Sequence, residues 1–346
     1  MSYTRLLTRL AAVGLFVLIG CAVWVYISIN HKQEHNYADE YITIEPGTSS
    51  IGIIRNLTNY GVIASSLPVR IYVRLFEAER KLEAGDYKFT SPISPLEVLK
   101  QLEKGRVRAQ TLTIPEGWTR FEIAERIASR LYDDGKITKE DMIQAMDNTR
   151  AIEHIDSTAE NLEGYLYPDT YRVSVRDPPE AILRRMVQEF EKVWRPDWDK
   201  IARERGFTTR DIVTIASLIE SETRVDAEKP IVASVIYNRI NREIPLGIDA
   251  SNVYIAKMLG KWDGIIHRSD VTIDHPYNTR KVYGLPPGPI CSPSESALEA
   301  ALHPADTDYL YYVLNVTDND GSHHFYSNAN EFIEGKKRYQ RWLKSQ

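Results

Sequence analysis

Two glutamates stand at the end of the segment Asp211-Ile212-Val213-Thr214-Ile215-Ala216-Ser217-Leu218-Ile219-Glu220-Ser221-Glu222-Thr223, and their type and spacing suit acid–base chemistry. Ile212, Ile215, Ala216, Ile219 and Thr223 share one helical face, and at about 100° per residue Glu220 and Glu222 project roughly 80° to either side of it. Both carboxylates therefore flank a buried stripe, while Ser221 points away. A carboxyl group at the floor of a cleft loses hydration, and a neighbouring carboxylate raises its pKa further. It can then stay protonated near neutral pH and serve as a general acid. The bland alternative is that Glu220 and Glu222 are solvated flanks of a helix.

Other chemistries find less support. None of the eight histidines is spaced His-x3-His, and His323 and His324, adjacent on a strand, would point to opposite faces, so no metal site is expected. A Gly-x-Ser-x-Gly elbow, a P-loop and a dinucleotide glycine fingerprint are all missing, and no cofactor is expected. Two cysteines, Cys21 and Cys291, are too few for a disulfide scaffold or a Cys-rich zinc module. A net charge of −5 and a pI near 6.0 argue against a nucleic-acid partner. Twenty tyrosines and six tryptophans against eight phenylalanines weight the aromatic set toward rings with a polar tip, which suit wet surfaces and sugar stacking. For any single ring, a place bordering the core is the alternative.

Around these residues the chain divides by composition. Residues 10–29 carry no charge, a length that matches a bilayer core of about 30 Å. Arg5 and Arg9 precede them, so residues 1–9 are expected to be a cytoplasmic tail, with the remainder outside the membrane and carrying −7. Trp24, Tyr26 and Ile27 stand where a signal peptide would be cleaved, and apolar residues continue past Cys21, where a lipoprotein would turn polar. A retained transmembrane helix explains the whole run. Whether Cys21 is lipidated stays open.

Residues 30–40 read as a tether. The order Ile42-Thr43-Ile44, Gly47, then Ile51, Ile54 and Leu57 reads as strand, turn and helix, and it returns as Leu112-Thr113-Ile114, Gly117, then Phe121, Ala124 and Ile127. Gly61-Val62-Ile63 finds an echo in Gly135-Lys136-Ile137. Both copies resemble LysM-type sugar-binding units. The expected fold is α+β: a single N-terminal transmembrane helix, a LysM-like βα module over 41–108, and a mixed catalytic domain over 109–346 that begins with a second LysM-like element near 111–146. Residues 71–82 are helical by pattern; Ser94, Pro95 and Glu97 open another helix, which Gly105 ends, with Lys104 and Arg106 at its C-terminus. A helix from Lys229-Pro230 to Ile240 carries Asn238 and Arg239 near its end, where Arg239 suits the dipole. Pro286-Pro287-Gly288-Pro289 reads as a rigid cleft lip. Residues 311–314 and 323–326 read as a hairpin turning at Asp318-Asn319-Asp320-Gly321.

Four segments, in order, resemble the YceG-like family of membrane-anchored endolytic murein transglycosylases: Ile114-Pro115-Glu116-Gly117-Trp118, Leu162-Glu163-Gly164-Tyr165-Leu166-Tyr167-Pro168-Asp169-Thr170-Tyr171, Ala216 to Thr223, and Tyr277-Asn278-Thr279 with Gly284-Leu285-Pro286-Pro287-Gly288-Pro289-Ile290. The similarity runs from about Tyr41 to the C-terminus. The chain departs from the pattern at Gly247, Asp249-Ala250-Ser251 and Arg280, which puts the fine shape of the sugar subsites in question. The resemblance implies a lyase in which Glu220 is the single acid/base. It would cleave the MurNAc–GlcNAc β-1,4 bond of nascent peptidoglycan glycan strands, form 1,6-anhydroMurNAc and terminate strand elongation. It further implies that Glu163, Asn238, Tyr277, Asn278 and Thr279 hydrogen-bond the substrate and that Tyr165 or Tyr277 stacks on a sugar face, with a core position as the alternative for each; if the enzyme were an ordinary glycosidase, Glu163, Glu222 and Asp249 would be the candidates for its second carboxylate. The implied site is the outer face of the inner membrane, beside peptidoglycan synthases such as penicillin-binding proteins. A non-catalytic peptidoglycan-binding scaffold and a hydrolase of the same bond are the competing expectations.

Overall fold

The uncharged N-terminal run folds as one helix, α1 (Ser2–Asn30), of which Ala12–Asn30 is long and apolar enough to cross a membrane. The computed structural model describes residues 2–38, 40–45, 47–76, 82–104, 109–132, 135–174, 177–318 and 320–345. Pro46, residues 77–81 of the expected 71–82 helix, the terminator Gly105 with Arg106, and Asn319 of the hairpin turn lie outside the described residues. The chain is mixed α+β and divides into two units, Met1–Ala109 and Gln110–Gln346.

In the first unit β1 (Ile42–Ile44) pairs antiparallel with β2 (Gly85–Tyr87), Ile42 facing Tyr87 and Ile44 facing Gly85. Two helices, α2 (Ser50–Asn59) and α3 (Ser66–Phe76), lie between the strands in sequence, and α4 (Pro95–Glu103) follows. Ile44, Ile54, Leu57, Ile63, Val98 and Leu99 form the centre of its core. The α4 start is a capping box of Ser94 and Glu97 with Pro95 in the first turn. α3 starts at Ser66 rather than at Ile71. The apolar pattern alone hid this, because Pro68 looks like a breaker; in a first turn its missing N–H would have no intrahelical acceptor anyway.

The second unit opens with β3 (Ala109–Thr113), which pairs with β4 (Thr170–Ser174) across α5 (Arg120–Leu131) and α6 (Lys139–Met146). The two echoing stretches therefore share an order of strand, helix, helix and pairing strand. They also share left-handed glycines at matching places, Gly47 with Gly117 and Gly61 with Gly135. Next come α7 (Pro179–Val193), α8 (Trp198–Glu204), α9 (Thr209–Glu222), α10 (Lys229–Asn241), α11 (Asp249–Met258), α12 (Arg268–Thr272) and α13 (Glu295–Leu302). The hairpin of β5 (Tyr311–Leu314) and β6 (His323–Tyr326) and the terminal α14 (Ala329–Leu343) complete the chain. α9 is the central element: every residue from Ile212 to Ile219 is buried, and α8, α10, α11 and α13 pack on it. Its N-terminus is a capping box of Thr208 and Asp211, which fixes where the helix starts and so which turn carries Glu220.

Candidate active site

Three helix ends meet at Glu220. It lies in the last turn of α9, opposite Lys229 in the first turn of α10 and Ser294, the N-cap of α13. Lys229 Nζ donates to Glu220 Oε2 at 3.2 Å, the Ser294 amide donates to the same oxygen at 3.1 Å, and the Ser294 hydroxyl makes a further contact to it. Oε1 accepts no hydrogen bond among the described residues. The two side chains are 8% and 3% exposed, so the Glu220–Lys229 pair is nearly withdrawn from water. The ammonium also reaches Ser294 Oγ and Ser296 Oγ, both at 2.9 Å, and Asp226 at 3.0 Å. Burial works against its charge, but Asp226 and Glu220 outweigh that and hold the Lys229 pKa above its ordinary value.

The segments singled out in the sequence close around α9. The Gly117 amide donates to Ser292 O at 2.9 Å and the Ser292 amide returns to Trp118 O at 2.8 Å, which ties the turn carrying Glu116 to the loop leading into α13. A Cβ at Gly117, already at a φ of 73°, would lie 3.9 Å from Glu220 Cγ. Gly164 has a φ of 82°, and a Cβ there would come within 2.6 Å of Pro289 and 2.9 Å of Val213. Only glycine lets the 162–171 segment seat against both the proline loop and α9. The loop is pinned in turn by the Ile290 amide on Ser217 Oγ at 3.0 Å. Glu116 is the carboxyl group that feels Glu220: its pKa is raised by partial burial and by the Glu220 charge.

The expected substrate-contacting residues are placed differently. Asn278 and Thr279 are completely buried. Asn278 donates to Val271 O at 3.1 Å and Ile273 O at 2.7 Å, and Thr279 Oγ1 receives the Ile248 amide at 2.9 Å. Asn238 spends its amide group on Thr307 O and Tyr309 O at 2.8 and 2.9 Å. Glu163, 2% exposed, accepts the Arg120 amide on both oxygens at 3.1 and 3.0 Å. The bonds named for these four residues hold the chain itself together, so each acts as an internal staple in this structure. Tyr277 is half-buried against Tyr254, and its hydroxyl lies beside Gly288 of the proline loop. Tyr165 is buried, bonded to Asp156 at 2.8 Å and packed on Phe190, which removes it as a stacking surface. Arg239 bonds the carbonyls of Leu310 and Leu246 rather than serving its own helix end.

The remaining carboxylates are also occupied. Glu222 accepts the Tyr312 hydroxyl at 2.5 Å, with a pKa raised by burial, and Asp249 pairs with Arg280. Sequence reasoning missed Glu116, Lys229, Ser294 and Ser296. The run Ser292-Pro293-Ser294-Glu295 carries a helix-start signal for Ser294; Lys229 offers none beyond its place before Pro230.

Glu163 yields a pH prediction. Burial pushes its carboxyl from 4.5 up to about 7, against the Arg120 amide and charge, which lower it. A pKa raised on folding contributes stability that is present below about pH 4.5 and lost as pH rises through about 7, an effect of about 3 kcal/mol. Glu163→Gln, which cannot ionise, is expected to lack this loss. Thermal melts of both chains below pH 4.5 and at about pH 8 check it; equal losses in the two chains would count against a buried, titrating Glu163.

A family model described as the YceG-like family matches residues 42–338. The endolytic murein transglycosylase of Bacillus subtilis strain 168 is 31% identical over 314 residues, covering 86% of this chain and 84% of the relative. That of Streptococcus pneumoniae serotype 2 is 31% identical over 306 residues, 81% of this chain and 55% of the relative, so the chain spans about half the length of that protein. A crystal structure of a yceG-like protein from Listeria monocytogenes matches with a TM-score of 0.57 at 30% identity, over 85% of this chain and 98% of that one.

Proposed function

The chain belongs to the YceG-like family, and from that premise we propose that it is a membrane-anchored endolytic lytic transglycosylase that cuts the MurNAc–GlcNAc β-1,4 bond of peptidoglycan strands with Glu220 as its acid and base. The observation that carries this reading is the unequal commitment of the Glu220 oxygens. Lys229 and Ser294 converge on Oε2, while Oε1 accepts no hydrogen bond among the described residues. In the protonated form such donors favour Oε2 as the carbonyl oxygen, which leaves the proton on Oε1. Glu220 delivers that proton to the glycosidic oxygen as the bond from C1 breaks. The carboxylate then takes the proton of the muramoyl C6 hydroxyl as its oxygen closes on C1. The proton returns, the 1,6-anhydro ring forms, and no water is consumed. One carboxyl group suffices because the substrate supplies the nucleophile.

The domain assignment follows the same reading. α1 is the anchor, with the N-terminus cytoplasmic and the remainder outside the inner membrane, where peptidoglycan synthases supply nascent strands. Residues 41–108 are a LysM-like glycan grip, a reading supported by the order β1, α2, α3, β2, and residues 109–346 are the catalytic part.

A hydrolase of the same bond has one observation in its favour, a second carboxyl, Glu116, near enough to Glu220 for that charge to help raise its pKa. Digestion of uncrosslinked strands by the detergent-solubilised full chain in oxygen-labelled water separates the two. The transglycosylase gives new ends without label, and Glu116→Gln keeps activity within about threefold. Labelled ends, with a loss of about a hundredfold or more in Glu116→Gln, would instead establish hydrolysis by a carboxyl pair.

A further inference from the structure

A groove of about 490 Å³ in the second unit is not used by the chemistry above. Its wall includes Trp118, next in sequence to the Gly117 that abuts Glu220. Three partly exposed rings line it, from Trp118, Phe121 and Trp262. The charges on its wall already have partners. Lys257 pairs with Glu122 at 2.8 Å, Lys139 with Glu125 at 3.3 Å, and the Arg126 guanidinium lies 4.8 Å from the centre of the Trp118 ring.

A surface built this way offers aromatic faces and fixed donors and acceptors, with both lysines paired to carboxylates and the Arg126 guanidinium held against the Trp118 ring. Phosphate or nucleic acid would meet the carboxylates of Glu122 and Glu125 on the same wall, and a charged peptide would have to break existing pairs. A pyranose ring has the complementary chemistry: an apolar C–H face for the indole and a rim of hydroxyl and acetamido groups for the polar wall. We infer that this groove is a saccharide subsite, taking uncharged N-acetylhexosamine units of the strand away from the scissile bond, with Trp262 as the stacking ring. The inference rests on the glycan-cleaving reading of Glu220 and names where the rest of that strand is held.

The test uses the full chain in detergent carrying Glu220→Gln, so that binding is read without turnover, and a tetramer of N-acetylglucosamine as the probe. Titration by calorimetry is expected to show binding that Trp262→Ala weakens about tenfold and Trp262→Phe largely keeps. Ser129→Trp, on an exposed position of the groove wall, is expected to fill the groove and remove the same component of binding that Trp262→Ala weakens, leaving any binding by residues 41–108, which covers the case in which Trp262→Ala fails to fold. Unchanged affinity in Trp262→Ala and Ser129→Trp would overturn the inference, as would binding of an isolated stem peptide in place of the sugar. Failure of the transglycosylase reading appears elsewhere, as product ends of the wrong mass with Glu220 intact, and leaves this binding result standing.

Discussion

Glu220→Gln will give a folded chain that still binds glycan and cleaves it about a thousandfold more slowly than the parent. The amide has the shape of the carboxyl group, and its oxygen can still accept from Ser294 and Lys229. What it lacks is a proton to give and a lone pair basic enough to take one back. The rate constant should therefore fall while affinity for the strand stays close to that of the parent. Stability should fall by about 1 to 3 kcal/mol, because the buried ammonium loses one of its two anionic partners and keeps Asp226 at 3.0 Å. Single-turnover cleavage and binding measured on the same preparation separate these effects. Weakened binding with an unchanged rate constant would remove Glu220 from the chemistry.

Lys229→Met carries the second large effect. Its removal leaves a carboxylate that is 8% exposed facing Ser294 alone, with Asp226 turned to solvent, and breaking a buried pair in this way costs about 3 kcal/mol. Cleavage is expected to slow about a hundredfold through kcat, with KM little changed, because the lysine touches the acid and not the sugar. Lys229→Arg, which keeps the charge, should recover part of that rate, whereas a merely structural role would let Lys229→Met regain full activity once stabilised, for example by lower temperature. The raised Lys229 pKa sets the pH window. Stability from the pair is fully present below the ordinary lysine value of 10.5 and is lost as pH rises through the higher folded value. The ammonium is therefore in place throughout the neutral range.

What the sequence could reveal followed from the range of each interaction. α9 was legible because apolar period and capping are local: Thr208 and Asp211 fix its start, and Ile212 to Ile219 its buried face. The partners of Glu220 were not, since Lys229 is nine positions away and Ser294 seventy-four, and nothing within either segment marks the other. The Tyr277-Asn278-Thr279 stretch was ambiguous for a related reason. Polar side chains in a loop look like recognition groups until burial is known, and here Asn278 and Thr279 spend their polarity on the carbonyls and amides of 248–273. Glu163 likewise holds the Arg120 amide, a bond across forty-three positions that no local pattern announces. Aromatic content pointed toward sugar, but it could not separate buried Tyr165 from partly exposed Trp262; only burial does.

The mass of the newly formed strand ends tests the central claim most directly. Uncrosslinked glycan is digested with the full chain, and with Glu220→Gln in parallel, and the termini are weighed. The account predicts muramoyl ends one water lighter than hydrolysed ends from the parent chain and next to none from Glu220→Gln. Fully hydrated ends, or anhydro ends released at the parental rate by Glu220→Gln, would contradict it.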